Sequence, residues 1–132
     1  MEKEFIPYEQ ALALKELGFE SPYPIGGYQG GKVFYYEKGE LYYDGRPMYS
    51  SDAHSGQLLA PLYQQAFRWF REKYKYDITI PPSGDSNGNT IAYYYEIIFQ
   101  GWDDGIESDS YDTYEEAELE CLKKLIEIVK NK

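Results

Sequence analysis

The fold turns on residues 58–76, Leu58-Leu59-Ala60-Pro61-Leu62-Tyr63-Gln64-Gln65-Ala66-Phe67-Arg68-Trp69-Phe70-Arg71-Glu72-Lys73-Tyr74-Lys75-Tyr76. Leu59, Leu62, Tyr63, Ala66, Phe67, Phe70 and Tyr74 recur at three- and four-residue intervals, which lines them along one face of a helix. Pro61 suits its first turn, where a missing N–H has no intrahelical partner. After Lys75 the apolar period drops to two, with Tyr76, Ile78 and Ile80 alternating against Asp77 and Thr79 until Pro81-Pro82. A helix thus hands over directly to a strand.

Downstream, Ser83 to Asn89 is a polar turn segment, and Ile91, Tyr93, Tyr95, Ile97 and Phe99 mark one face of the longest strand. Ala92, Tyr94, Glu96, Ile98 and Gln100 fall on its other face. The first set is expected to face the helices. Gly101 to Gly105 turns the chain, and residues 106–110 return as a short edge strand. Thr113-Tyr114-Glu115-Glu116 opens the last helix as a capping box, with Ala117, Cys121, Leu122, Leu125, Ile126, Ile128 and Val129 on its apolar face. Its acidic residues come early and its lysines late, as the helix dipole favours.

Upstream, residues 4–19 read as a helix with Tyr8, Ala11, Leu12, Leu14 and Leu17 as apolar contacts, closed by Gly18, with Phe19 folding back toward Leu14. Residues 21–31 carry two prolines and four glycines and read as a loop. Val33–Tyr36 and Leu41–Tyr43 form a predicted hairpin with rings on both faces. A second loop, 44–57, leads back to the central helix. Helix, hairpin, helix, three strands and helix place the chain in the α+β class. The expectation is one domain, 1–132, with an antiparallel sheet of about four to five strands, three helices mainly on one face, and an αβββα order in the C-terminal part.

The chain has 132 residues, of which 42% are hydrophobic and 18% aromatic, enough to bury a core. With 13 basic and 23 acidic side chains its net charge is −10. Direct nucleic-acid binding is disfavoured, because such affinity comes from neutralising phosphates. The same charge repels anionic membranes and attracts a basic protein patch. With Cys121 the only cysteine, no disulfide closes within the chain. The absence of a basic start followed by an apolar run, and of any apolar stretch of spanning length, speaks for a cytoplasmic protein.

No catalytic, cofactor or metal site is expected. His54 lies too close in sequence to Asp52 and Ser55 for a triad, which is built from distant segments. Gly26 to Gly31 precedes a hairpin rather than a helix, unlike a phosphate loop, and the acidic runs lack calcium-loop spacing. Cys121 on an apolar helix face reads as a buried, inert thiol. Candidate partner-binding residues are the tyrosines Tyr35, Tyr36, Tyr42, Tyr43 and Tyr94, since exposed rings are enriched at interfaces. Trp69, between Arg68 and Arg71, is a candidate anchor. Asp103, Asp104 and Asp109 belong to a one-signed acidic segment able to mimic nucleic-acid phosphates.

Residues 5–19 and 59–74, with Thr113-Tyr114-Glu115-Glu116-Ala117, resemble a family of small uncharacterised proteins of gut-bacterial phages and prophages. That resemblance implies a phage or prophage origin, and no site residues. From residue 60 onward the element order is similar to that of double-stranded-RNA-binding domains. Those place lysines at the start of their last helix. Here Glu115-Glu116-Ala117-Glu118 stands there, against RNA contact. The expected function is a non-enzymatic protein-interaction module with an acidic, tyrosine-rich surface, in one form a nucleic-acid mimic. The alternative is a small-molecule or nucleotide-binding domain using loops 21–32 and 44–57.

Overall fold

The computed structural model describes residues 5–19, 33–37, 40–44, 57–59, 61–101 and 105–132, for 33–37, 40–44 and 57–59 the backbone only. The chain divides into two compact units, Met1–Ala66 and Phe67–Lys132. The α+β class holds, with three helices and antiparallel strands only among the described residues.

In the first unit, α1 (Tyr8–Glu16) starts after Pro7 and ends in a Schellman turn. Gly18 adopts φ 92°, its N–H donates to the Lys15 carbonyl at 3.0 Å, and the Phe19 N–H donates to the Leu14 carbonyl at 3.0 Å. Phe19 and Leu14 are both buried, as the fold-back requires. The helix is shorter than 4–19: Phe5 forms a bridge with Leu62 and the Ile6 N–H donates to Pro61. Ala11 and Leu14 are buried, but Tyr8 and Leu12 are exposed, contrary to the expected apolar face. The hairpin β1 (Val33–Glu37) and β2 (Glu40–Asp44) forms as expected, joined by an unforeseen third strand, β3 (Gln57–Leu59), in the order β2-β1-β3.

That third strand corrects the start of the central helix. Leu58 and Leu59 pair with Tyr36 and Tyr35, and α2 runs only over Tyr63–Tyr74. The start is fixed by Gln65, whose Oε1 accepts the Leu62 N–H at 2.8 Å, one half of a capping box. Pro61 lies buried just ahead of the helix.

In the second unit, the strands between α2 and α3 (Tyr114–Lys130) are β4 (Tyr76–Thr79), β5 (Pro82–Gly84), β6 (Thr90–Tyr93), β7 (Glu96–Phe99) and β8 (Gly105–Glu107). They form a three-stranded sheet, β4-β7-β8, and a two-stranded one, β5-β6, rather than one sheet of four or five strands. The two nevertheless share one register. Paired positions keep the same offset from Tyr76↔Phe99 through Thr79↔Glu96 to Pro82↔Tyr93 and Ser83↔Ala92. The three expected strands are therefore one long hairpin plus β8, interrupted where Pro81 accepts the Tyr94 N–H at 3.2 Å and has no N–H to return.

Tyr76, Tyr95 and Ile97 are buried on the inner face. α3 crosses that face: Tyr114 packs edge-on to Tyr93, and Lys132 stands 5.4 Å over the Tyr76 ring. Thr113 caps α3 by accepting the Glu116 N–H at 3.1 Å, which is one half of the expected capping box; among the described residues the Glu116 carboxylate makes no return hydrogen bond to the Thr113 N–H. Ala117, Cys121, Leu122, Leu125 and Ile126 are buried, while Ile128 and Val129 are only half-buried. Ile91, expected inside, is 61% exposed, because it lies on the part of the hairpin paired only with β5.

Candidate functional site

Strand alternation gives the long hairpin a second face, turned away from α3. Asp77 pairs with Ile98, Thr79 with Glu96, and Glu96 with Glu107, and directly paired residues share a face. Tyr94 has the same parity as Glu96 and Ile98. This outer face thus gathers Asp77, Tyr94, Glu96, Ile98 and Glu107, with no lysine or arginine at its paired positions. Ile98, 41% exposed, is its large aliphatic side chain.

The negative charges of this face act on one another. Partial burial raises the Tyr94 phenol above its ordinary 10.0, and the negative charges of neighbouring Glu96 and Glu107 add to the effect. Gln100 Nε2 donates to Asp77 Oδ2 at 3.0 Å and fixes the far corner. The face offers carboxylates, a phenol and one aliphatic side chain.

Trp69 is half-buried in a run of rings. Its edge meets Tyr74 at 5.5 Å, Tyr74 stacks on Tyr76 at 5.8 Å, and Tyr76 meets Phe99 at 4.9 Å. Lys73 Nζ lies 5.1 Å from its centroid. Arg68 pairs with Glu72 at 2.9 Å. Trp69 is thus built into the packing of α2 on the sheet.

The other candidates fall elsewhere. The register sets Tyr35 opposite Tyr42, Phe34 opposite Tyr43 and Tyr36 opposite Leu41 in the first unit. Asp109 is exposed just beyond β8. Asp103, Asp104, His54 and the loops at 21–32 and 45–56 lie outside the described residues. Cys121 is buried, and that burial pushes its thiol up from 9.0 to about 12, as an inert thiol requires. Among the described residues no group of three or more His, Cys, Asp or Glu is placed to hold a metal ion, and no helix is long and apolar enough to cross a membrane.

Sequence reasoning singled out Tyr94 and missed Glu96, Glu107, Asp77 and Ile98. The usable signal was the even-numbered side of the 90–99 strand. Comparison of the chain with protein-family models, curated proteins and solved structures gives no match.

Proposed function

We propose that the protein is a non-enzymatic interaction module, of phage or prophage type, that docks a basic surface of another protein on the outer face of its 76–99 hairpin. The observation that carries this reading is Glu96 set directly opposite Glu107. Like charges facing each other across a strand pair oppose folding, so their presence fits a surface shaped for a cationic partner. Half-buried Tyr94 and exposed Ile98 supply the apolar contact such a surface needs beside its charge. The net charge of −10 steers a basic partner toward it, and exposed Asp109 extends the acidic surface. A basic site that ordinarily holds nucleic-acid phosphate is the sharpest form of such a partner.

The test is affinity capture from host cells with wild type, Tyr94→Ala and the double variant Glu96→Gln/Glu107→Gln. The expected result is a partner held by wild type, displaced by about 0.5 M salt or by competing DNA, and lost with both variants. A partner retained equally by all three proteins overturns the reading.

A further inference from the structure

The tip of the β5–β6 hairpin, Asp85-Ser86-Asn87-Gly88-Asn89, is fully exposed and plays no part in the acidic face. Asp85 organises it: Oδ1 accepts the N–H groups of Asn87 and Asn89, each at 2.9 Å, and Oδ2 accepts Asn89 Nδ2 at 3.4 Å. The Asn89 side-chain amide is therefore held. That of Asn87 has no hydrogen bond among the described residues and is followed by Gly88, whose nitrogen no Cβ shields.

We propose that Asn87 is a site of spontaneous covalent modification, converting through a cyclic imide with Gly88 to aspartate or isoaspartate. The Gly88 nitrogen, after losing its proton to hydroxide, attacks Asn87 Cγ. The new N–Cγ bond closes the imide ring while the Cγ–Nδ2 bond breaks, and Nδ2 takes a proton from water to leave as ammonia, which regenerates the hydroxide. Water then opens the ring on either side. Cleavage of N–Cγ gives aspartate in the normal main chain, and cleavage at the Asn87 carbonyl carbon routes the main chain through Cβ. Water and hydroxide are the only co-reactants, and nothing is oxidised or reduced.

Local structure does little to prevent the reaction. The Gly88 N–H donates to the Asp85 carbonyl at 3.1 Å, one solvent-exposed hydrogen bond at a hairpin tip. The other two asparagines are protected differently. Asn89 is held by Asp85 and precedes Thr90, whose β-branched side chain crowds the attacking nitrogen, and Asn131 precedes Lys132. Each product adds a negative charge beside Asp85. Isoaspartate also adds a main-chain atom between the two amides that Asp85 accepts, so it loosens the tip.

The intact folded protein is incubated in mildly alkaline buffer, digested, and followed by peptide mass spectrometry and isoaspartyl-specific methylation. Conversion of Asn87 is expected at least about tenfold faster than that of Asn89 or Asn131, because only Asn87 precedes a residue without Cβ. Methylation is expected to appear with it, and Asn87→Gln removes both signals. Equal rates at the three asparagines, or conversion in concentrated urea with none in the folded protein, overturns the proposal.

Discussion

Glu96 stands directly opposite Glu107 across β7–β8, and Tyr94 shares their face of the hairpin. A cross-strand pair of opposite charge contributes roughly 0.2–1 kcal/mol, and like charges reverse the sign. Glu107→Lys is therefore expected to stabilise the fold by up to about 1 kcal/mol, read as a raised urea midpoint with an unchanged slope. The same variant is expected to lose the captured partner.

Beyond this pair the chain changes register, and Ser108 repairs the ladder. Its Oγ accepts the Tyr95 N–H at 2.9 Å and donates to the Asp109 carbonyl at 2.7 Å, while its own N–H donates to the Tyr95 carbonyl at 3.0 Å. Ser108→Ala leaves the part-buried Tyr95 N–H without a partner, at a cost of about 1–3 kcal/mol. Ser108→Thr keeps the hydroxyl and is expected to cost less. Amide hydrogen exchange at Tyr95 reports the difference directly.

Gly105 lets β8 approach β7. A Cβ there would lie 2.8 Å from the Ile97 carbonyl oxygen and 3.7 Å from Ile98 Cα, backbone atoms that cannot swing aside. Gly105→Ala is expected to destabilise by about 1–3 kcal/mol and to raise exchange along β8 before the rest of the unit. Loss of the acidic face in this variant with no loss of global stability would contradict that placement.

The legible parts of the chain are those where one residue type has one use. Thr113 before Glu116, Gly18 before Phe19, and the alternation of Tyr93, Tyr95, Ile97 and Phe99 all led to structure that is present. Leu58 and Leu59 misled because leucines next to an amphipathic helix continue its spacing equally well as a short strand. Pro82 misled because proline ends a central strand but is tolerated at an edge, and β5 pairs only with β6. The candidate face was half legible. Tyr94 drew attention as a tyrosine, but Glu96 and Glu107 are neighbours only through a register that sequence does not state.

Lys75 closes α2 with φ 63°, the left-handed conformation, its N–H donated to the Arg71 carbonyl at 3.1 Å and its carbonyl accepting the Gln100 N–H at 3.0 Å. That conformation costs an L-residue roughly 1–2 kcal/mol, and glycine avoids it at an entropic cost of about 0.5–1 kcal/mol. Lys75→Gly is accordingly expected to gain up to about 1 kcal/mol in thermal or urea unfolding. Lys75→Val is expected to lose stability, since a β-branched side chain is worst at positive φ. A gain with both substitutions would point to the lysine charge instead of the backbone.

Tyr95 and Cys121 are expected to set the alkaline limit of the fold. Burial raises the Tyr95 phenol from 10.0 to about 12, with Tyr111 and Cys121 adding to the effect. Burial likewise raises the Cys121 thiol from 9.0 to about 12, with Glu118 adding to it. Both groups are charged only after losing a proton, and the unfolded chain loses it at the lower pH. Their contribution is therefore whole below about pH 9 and is lost as pH rises toward about 12. Circular dichroism is expected to show base-induced unfolding in that window, and Cys121→Ala is expected to move the start of the decline from near 9.0 to near 10.0, the ordinary value of Tyr95 and of the other raised tyrosines, Tyr94, Tyr111 and Tyr114. A thiol reagent at neutral pH is expected to leave Cys121 untouched until urea unfolds the protein, and prompt labelling of the folded chain would contradict the burial on which the whole window rests.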